Sequence, residues 1–469
     1  MSTAGKGHWL RERPDKIVAK GKGELTTFWL VPKSGTNSSG HSSCSHSSLP
    51  PSKGDAAELG GDIRLIERAT AKVETVHDEK EQRLVLWSTD MLSSILKTIV
   101  ADRIDSYVQP DDPSKIALIE NSIRGGADSQ DQWMVADEVV ELIRLPKFDA
   151  AAQKEPIHPE TIELPVAAVQ QLEKYVQAVA AMYPDYPFHN FEHASHVALS
   201  VQKLLSRIVA PEVAPSDQDA DAATEAGEDL HEYTYGMTSD PLLHFALVLA
   251  ALVHDVDHPG VPNSTLVTLV MEQTSLVAVY KNKSIAEQNS VDLAWALLMD
   301  DAFVDLRKVV YTTEEESTRI RQLIVNSVMA TDIMDKELGA FRKVRWDKTF
   351  SQGPADTNCD GFAFRRKATI VLEHLIQASD VAHTMQHWHV YIKWNERLFE
   401  KLYKAYLDGR ADTDPSISWY EGDMGFFDFP LCPWQRNSRA VESLACSALS
   451  TWTTRRPIVA SGNKKDRKS

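Results

Sequence analysis

Two short windows concentrate the groups in this chain that could do chemistry: His189-Asn190-Phe191-Glu192-His193 and His254-Asp255-Val256-Asp257-His258-Pro259-Gly260. Imidazole nitrogen and carboxylate oxygen without thiolate form a donor set for zinc, manganese or magnesium, and such sites are more often catalytic than structural. On a helix, His189 and His193 would stand at i and i+4 and approach one small site from one face. His196, three residues on, lies near that face too, so position alone leaves the ligand roles open. An isolated histidine is most simply a hydrogen-bonded core or surface residue. With His189, His193, His254, Asp255, Asp257 and His258 in two windows, a metal site is the better reading.

The elements that must position these groups read as helices. Before the second window, Val248, Leu249, Leu252 and Val253 form an apolar helical approach that Pro259-Gly260 stops, which puts the polar residues at a helix end. Asp380 sits inside an otherwise apolar helix over 371–406 that has a polar interruption at 381–386. A carboxylate buried there unpaired would be costly, and either a cation or an ion pair would explain it. Leu86, Met91, Leu92, Ile95, Leu96 and Ile99, and then Val166, Val169, Leu172, Val176 and Val179, recur at three- and four-residue spacing. The expected fold class is all-α from about residue 60, with a small β hairpin before it.

Composition narrows the function. The chain has 469 residues, 43% of them apolar, and a formal net charge of −17. It is long enough for one large domain with appendages, and too acidic for a general nucleic-acid binder. Cys44, Cys359, Cys432 and Cys446 are far apart, which suggests neither a disulfide framework nor a thiolate zinc site. The N-terminus lacks an apolar signal core, so a cytoplasmic setting without direct membrane contact by this chain is expected. Residues 33–58 are a Ser/Gly/Pro-rich linker, and about 211–240 is an acidic insertion best read as solvated. No feature specifies an oligomeric state.

Taken together, His189-Asn190-x-x-His193, His254-Asp255-x-Asp257-His258-x-Gly260, the 284–287 segment, Ala330-Thr331-Asp332 and Asp380 resemble the class I 3′,5′-cyclic nucleotide phosphodiesterases, in that family's order. The resemblance spans roughly residues 85–430 and assigns a catalytic domain to 59–430. It implies a multi-helical domain of the histidine-aspartate phosphohydrolase type that hydrolyses cyclic AMP, cyclic GMP or both to 5′-monophosphates. It further implies that His193, His254, Asp255 and Asp380 hold a zinc ion, with Asp255 bridging to a second ion, magnesium or manganese. Magnesium keeps several waters and needs few protein ligands, which agrees with that division. By the same resemblance His189 donates a proton to the leaving 3′ oxygen and His258 and Glu287 give orienting support. Substrate contacts fall to His189, Asn190, Asp255, Asn263, Thr331, Asp332 and Asp380.

Base recognition is where the chain departs. The family grips the purine with a glutamine a few residues before a stacking phenylalanine; here Phe426 remains and Asp423 stands at the glutamine position. A carboxylate only accepts hydrogen bonds, so it suits an amino group and repels a carbonyl. Asn289-Ser290 replace paired histidines, and His383 replaces an asparagine. These departures leave two alternatives: a phosphohydrolase acting on another phosphoester, and a degenerate nucleotide-binding regulatory module.

Two ends fall outside that domain. In residues 1–32, Lys20-Gly21-Lys22-Gly23 precedes an alternating run, Leu25, Thr27, Trp29 and Val31, of strand period. This stretch resembles the last hairpin of a class III nucleotidyl cyclase and implies a chain fused to, or derived from, a cyclase; the cyclase metal aspartates would lie upstream. After Phe429 the family resemblance stops, and the atypical tail, residues 431–469, is expected to reflect a frameshift or misread intron.

Overall fold

The computed structural model describes the strands within residues 10–30 and residues 79–107, 134–146, 158–206, 231, 234–268, 274–350 and 361–427. The linker at 33–58, most of the acidic segment at 211–240 and the tail at 431–469 lie outside the described residues. The chain divides into two compact units, Met1–Ala56 and Ala57–Ser469.

In the first unit, β2 (Ile17–Ala19) pairs antiparallel with β3 (Gly23–Leu25) across Lys20-Gly21-Lys22. β1 (Leu10–Glu12) pairs with β4 (Phe28–Leu30), Leu10 opposite Leu30. Within the run 25–31 expected to be strand, the described residues Leu25 and Phe28–Leu30 are strand, and the remaining positions lie outside the described residues.

The second unit is all-α among its described residues, as expected. Its centre is α4 (Pro241–Val253), in which Leu242, Leu243 and every residue from Phe245 to Val253 are buried. A helix apolar on all sides must be surrounded, and α1 (Glu79–Tyr107), α3 (Phe191–Leu205) and α9 (Glu314–Thr331) pack against it. Its start is fixed locally: Pro241 occupies the first turn, and the Asp240 carboxylate accepts from Leu243 N at 3.1 Å. The other Asp240 oxygen pairs with Arg319 of α9, so the cap also ties two core helices together.

α1 buries Met91, Leu92, Leu96 and Ile99, whereas Leu86 is 45% exposed and belongs to the outer face. α1 is long and apolar enough to cross a membrane by length and composition, yet its apolar stripe lies in the core. Arg103 on α1 donates to Val309 O and Val310 O at 2.6 and 2.7 Å, satisfying carbonyls at the end of α8 (Val304–Val310). α2 (Val166–Met182) buries Leu172, Val176 and Val179 but leaves Val166 exposed at its first turn.

The rest of the unit frames one end of this core. Short α5 (Asn263–Thr268) and α6 (Thr274–Val279) lead to α7 (Ile285–Met299), and α10 (Lys336–Phe350) follows α9. The long helix expected over 371–406 is two: α11 (Gly361–Asp380) and α12 (Trp388–Leu407), separated by a 3-10 turn at Ala382–Met385 where the polar interruption was read. The described part ends with α13 (Trp419–Phe426).

Candidate active site

Asn190 decides the local structure of the first window. Its extended backbone and its side chain, which accepts from His193 N at 3.0 Å, make it the N-cap of α3. Its two amide hydrogens go to Tyr186 O and Pro187 O at 2.8 and 3.1 Å. One correction follows: His189 precedes the helix rather than sharing a face with His193, while the Asn190 amide and backbone hydrogens are engaged within the chain. The capped entry still brings the two rings to 6.3 Å.

The second window behaves as its composition indicated. His254 ends α4, Asp257 takes a left-handed conformation at φ 54°, and Gly260 sits at φ 81°. A Cβ at Gly260 would lie 2.8 Å from Cζ of Tyr186, so the turn that folds His258 back requires glycine here. Ser290 ties the turn to α7 by donating to Val256 O at 2.7 Å, and Asn289 donates to Asp257 at 3.1 Å. The residues standing where paired histidines were expected thus brace the turn.

Asp380, the last residue of α11, completes the cluster. Its carboxylate lies 3.0 Å from His193 Nε2 and 3.5 Å from His254 Nε2, and Asp255 lies 3.3 Å from His254 Nε2 and 3.9 Å from His193 Nε2. His254 Nδ1 faces Ala251 O at 2.9 Å and must carry the hydrogen there, which leaves Nε2 free to coordinate. Burial alone would raise the Asp255 and Asp380 carboxyls, but His254 beside Asp255, and His193 with His254 beside Asp380, hold both well below the ordinary carboxylate range. Burial would likewise lower His254, and Asp255 and Asp380 overturn it and raise that histidine well above its usual value.

Two observations fit this donor set to a cation. His254 Nε2 and Asp255 Oδ2 are buried and make no hydrogen bond, a costly state that an ion between them would relieve. One ligand atom each from His193, His254 and Asp255 lie within 4.8 Å of one another, and so do atoms of His189, Asp255 and His258. Asp255 belongs to both groups, the place from which one carboxylate can bridge two ions.

The His189 and His258 rings lie against each other, with centres 3.8 Å apart and planes tilted by 38°. Burial first, then the neighbouring His258 and Lys401, push His189 well below the usual histidine value. Burial and Lys401 bring His258 to about 3. His258 Nδ1 accepts from Gly260 N at 3.0 Å, so its hydrogen is on Nε2. Beside Asp255 a second network forms. Asn263 donates to Glu287 at 2.8 Å and to Asp332 at 3.1 Å, and Ser284 donates to Asp332 at 2.8 Å. Burial and the nearby Asp332 raise Glu287 to about 8. Thr331 turns its hydroxyl to Val328 O within its own helix.

Asp423 and Phe426 form a separate group on α13. Asp423 accepts from the Tyr391 hydroxyl at 2.5 Å and from Asn395 at 3.0 Å, while Phe426 packs with Tyr391, Phe427, Val381 and Met385. A cavity of about 610 Å³ opens beside His193 and Asp380, lined also by His196, His383, Gln386 and Trp394. Its volume suits a small organic ligand. His196, left open as a ligand, is exposed, with its ring 5.5 Å from Trp394.

Three participants were missed in the sequence. Phe188 wedges edge-on against His189 at 4.9 Å and against Trp394 at 5.7 Å. Trp394 also lies 5.6 Å from His193. Lys401 donates to His189 Nδ1 at 2.6 Å. The spacing of Trp394, Arg397 and Lys401 at i, i+3 and i+7 on α12 was the available clue, since Arg397 on the same face reaches Glu192 of α3 at 2.9 Å.

Comparison with known proteins points the same way. Residues 188–417 match the family model described as 3′5′-cyclic nucleotide phosphodiesterase. Over 222 residues the chain is 25% identical to the probable 3′,5′-cyclic-AMP phosphodiesterase pde-4 of Caenorhabditis elegans, covering 47% of this chain and 28% of that protein. It is 28% identical over 193 residues to the human cGMP-inhibited 3′,5′-cyclic phosphodiesterase 3A, covering 37% and 16% respectively. The chain thus spans less than a third of the length of these relatives. Among solved structures, the phosphodiesterase domain of the RhoPDE fusion protein from Salpingoeca rosetta matches 60% of this chain and 82% of that one, with 20% identity and a TM-score of 0.42. The matched segment, residues 188–417, is thus similar to the catalytic domains of 3′,5′-cyclic nucleotide phosphodiesterases and contains the histidine and aspartate cluster.

Proposed function

We propose that this phosphodiesterase-type domain hydrolyses the P–O3′ bond of a 3′,5′-cyclic purine nucleotide and releases the 5′-monophosphate. The observation that carries the reading is Asp255, shared by two histidine groups inside the segment that matches the family. His193, His254, Asp255 and Asp380 would hold the first ion, zinc, and Asp255 would bridge to the second, magnesium or manganese. Bound there, two such ions neutralise phosphate charge and lower the pKa of water.

The chain's own residues supply the rest. His189, beside Asp255 yet outside the first ligand group, is placed to protonate the departing 3′ oxygen; a positioned acid of this kind contributes roughly a hundred- to ten-thousandfold. His258 keeps the His189 ring in place by packing against it, and Glu287 is oriented by Asn263. Phe426 offers a face for the base. Asp423, fixed by Tyr391 and Asn395, presents acceptors only, which suits the adenine 6-amino group or the guanine N1 and N2 hydrogens.

The test is to assay purified protein with zinc and magnesium on cyclic AMP, cyclic GMP and a generic phosphodiester, with Asp255→Ala as control. Turnover of cyclic nucleotides that the substitution abolishes supports the proposal. Equal turnover of the generic diester would point to a broader phosphohydrolase, and binding without turnover to a regulatory module. We also propose that the N-terminal segment derives from a class III cyclase, on the strength of the Lys20-Gly21-Lys22-Gly23 sequence and the antiparallel pairing of β2 with β3. Genomic sequence upstream that lacks an in-frame cyclase domain would refute this.

A further inference from the structure

Lys401 is 5% exposed on α12, and the bond to His189 is the one its Nζ makes among the described residues. Burying an ammonium is costly, and a helix position facing a histidine cluster is an unfavourable place for a cation. A residue so placed needs an account that packing does not give. An ammonium has three donors and no acceptor, so at 2.6 Å His189 Nδ1 must accept, and the hydrogen of a neutral imidazole is then confined to Nε2.

We propose that Lys401 is a positioning residue for His189: its Nζ–H holds the imidazole as the Nε2–H tautomer and replenishes, through Nδ1, the proton that Nε2 gives to the leaving oxygen. The inference rests on the hydrolytic reading for the second half of that statement only. The transfer balances. A water-derived hydroxide oxygen forms the new bond to phosphorus, and the P–O3′ bond breaks with its electron pair on O3′. His189 Nε2–H breaks as O3′–H forms, and Lys401 Nζ–H breaks as Nδ1–H forms. Lysine ends as the neutral amine, His189 as its other tautomer, and a proton from solvent resets the pair.

The surroundings agree with this division of labour. A neutral imidazole alone is a feeble acid, and the Lys401 ammonium stands 2.6 Å behind its Nδ1. A donor behind the ring removes the difficulty, because the ring never needs to carry a charge or become an anion. Burial lowers Lys401 to about 8, so it is still mostly protonated at neutral pH yet gives up a proton readily.

Nitrogen-15 histidine labelling of the full chain tests this, with long-range proton–nitrogen correlation to read the tautomer and His189→Asn to assign the signals. Wild-type His189 is expected with hydrogen on Nε2 and a bare Nδ1, and Lys401→Met, which keeps the stem but no donor, should lose that single tautomer. In the same variant kcat is expected to fall roughly ten- to hundredfold while KM moves less than about threefold. A wild-type His189 with its hydrogen on Nδ1 overturns the proposal, and that spectrum needs no variant to fold. An unchanged tautomer in Lys401→Met overturns it as well. A tautomer switch in a protein that turns over no cyclic nucleotide would support the positioning role and fault the hydrolytic reading instead.

Discussion

Removing the ions should expose how far this fold leans on them. His254 Nε2 and Asp255 Oδ2 are buried without hydrogen bonds, and the Asp255 and Asp380 carboxylates converge on His193 and His254 within 3.0 to 3.9 Å. An ion that binds this folded cluster and not the unfolded chain stabilises by RT ln(1 + [L]/Kd), about 4 kcal/mol at a thousandfold excess over Kd. For a unit of this size roughly 2 °C accompanies each kcal/mol, so zinc added to chelator-stripped protein should raise Tm by about 8 °C. Asp255→Ala takes a donor from both histidine groups and should reduce that shift to less than about 2 °C. The assay is differential scanning fluorimetry across a zinc series for both proteins. Equal shifts in the two, or none in wild type, would show that the cluster is not the metal site.

Asp240→Ala should destabilise by about 2 to 5 kcal/mol in urea unfolding, since it removes the α4 cap and leaves the partly buried Arg319 without its carboxylate; a loss under 1 kcal/mol would contradict that. Gly260→Ala should cost about 1 to 3 kcal/mol and slow turnover, because the new Cβ meets Tyr186 at a positive φ; an unchanged protein would show that the turn relaxes freely. Burial lowers His374 to about 4, so the unfolded chain takes up its proton first as pH falls. The stability this neutral ring confers is present above about pH 6.5 and is lost between there and pH 4, at most about 3 kcal/mol, with His374→Gln flattening that part of the unfolding–pH curve; a variant with the same pH dependence as wild type would sink the assignment. Asp423→Gln should change the ratio of rates on cyclic AMP and cyclic GMP, and an unchanged ratio removes Asp423 from base recognition.

The sequence carried the site more fully than the way the chain presents it. His254 and Asp255 were legible because a wholly apolar helix running into Pro259-Gly260 has one place for polar groups, its end. Asp380 was legible as a carboxylate that an apolar helix would not hold without a partner. His189 was misplaced because the i, i+4 spacing suggested one helix, whereas Asn190 satisfies three backbone groups at once and starts the helix after itself. Lys401 was overlooked because it lies 212 residues from His189, and its i, i+3, i+7 spacing with Trp394 and Arg397 marks a shared helix face without showing what that face meets. Asp423 was read as facing a base; the structure shows it first as the acceptor for Tyr391 and Asn395, a pairing between α12 and α13 that only the folded arrangement reveals.

We propose that this chain cleaves the P–O3′ bond of a cyclic purine nucleotide. Hydrolysis in oxygen-18 water, followed by mass spectrometry and phosphorus NMR of the product, tests it most directly. The expected product is the 5′-monophosphate with one oxygen-18 on phosphorus, formed by wild type and not by Asp255→Ala. A 3′-monophosphate, or no product from metal-loaded protein, would contradict the account.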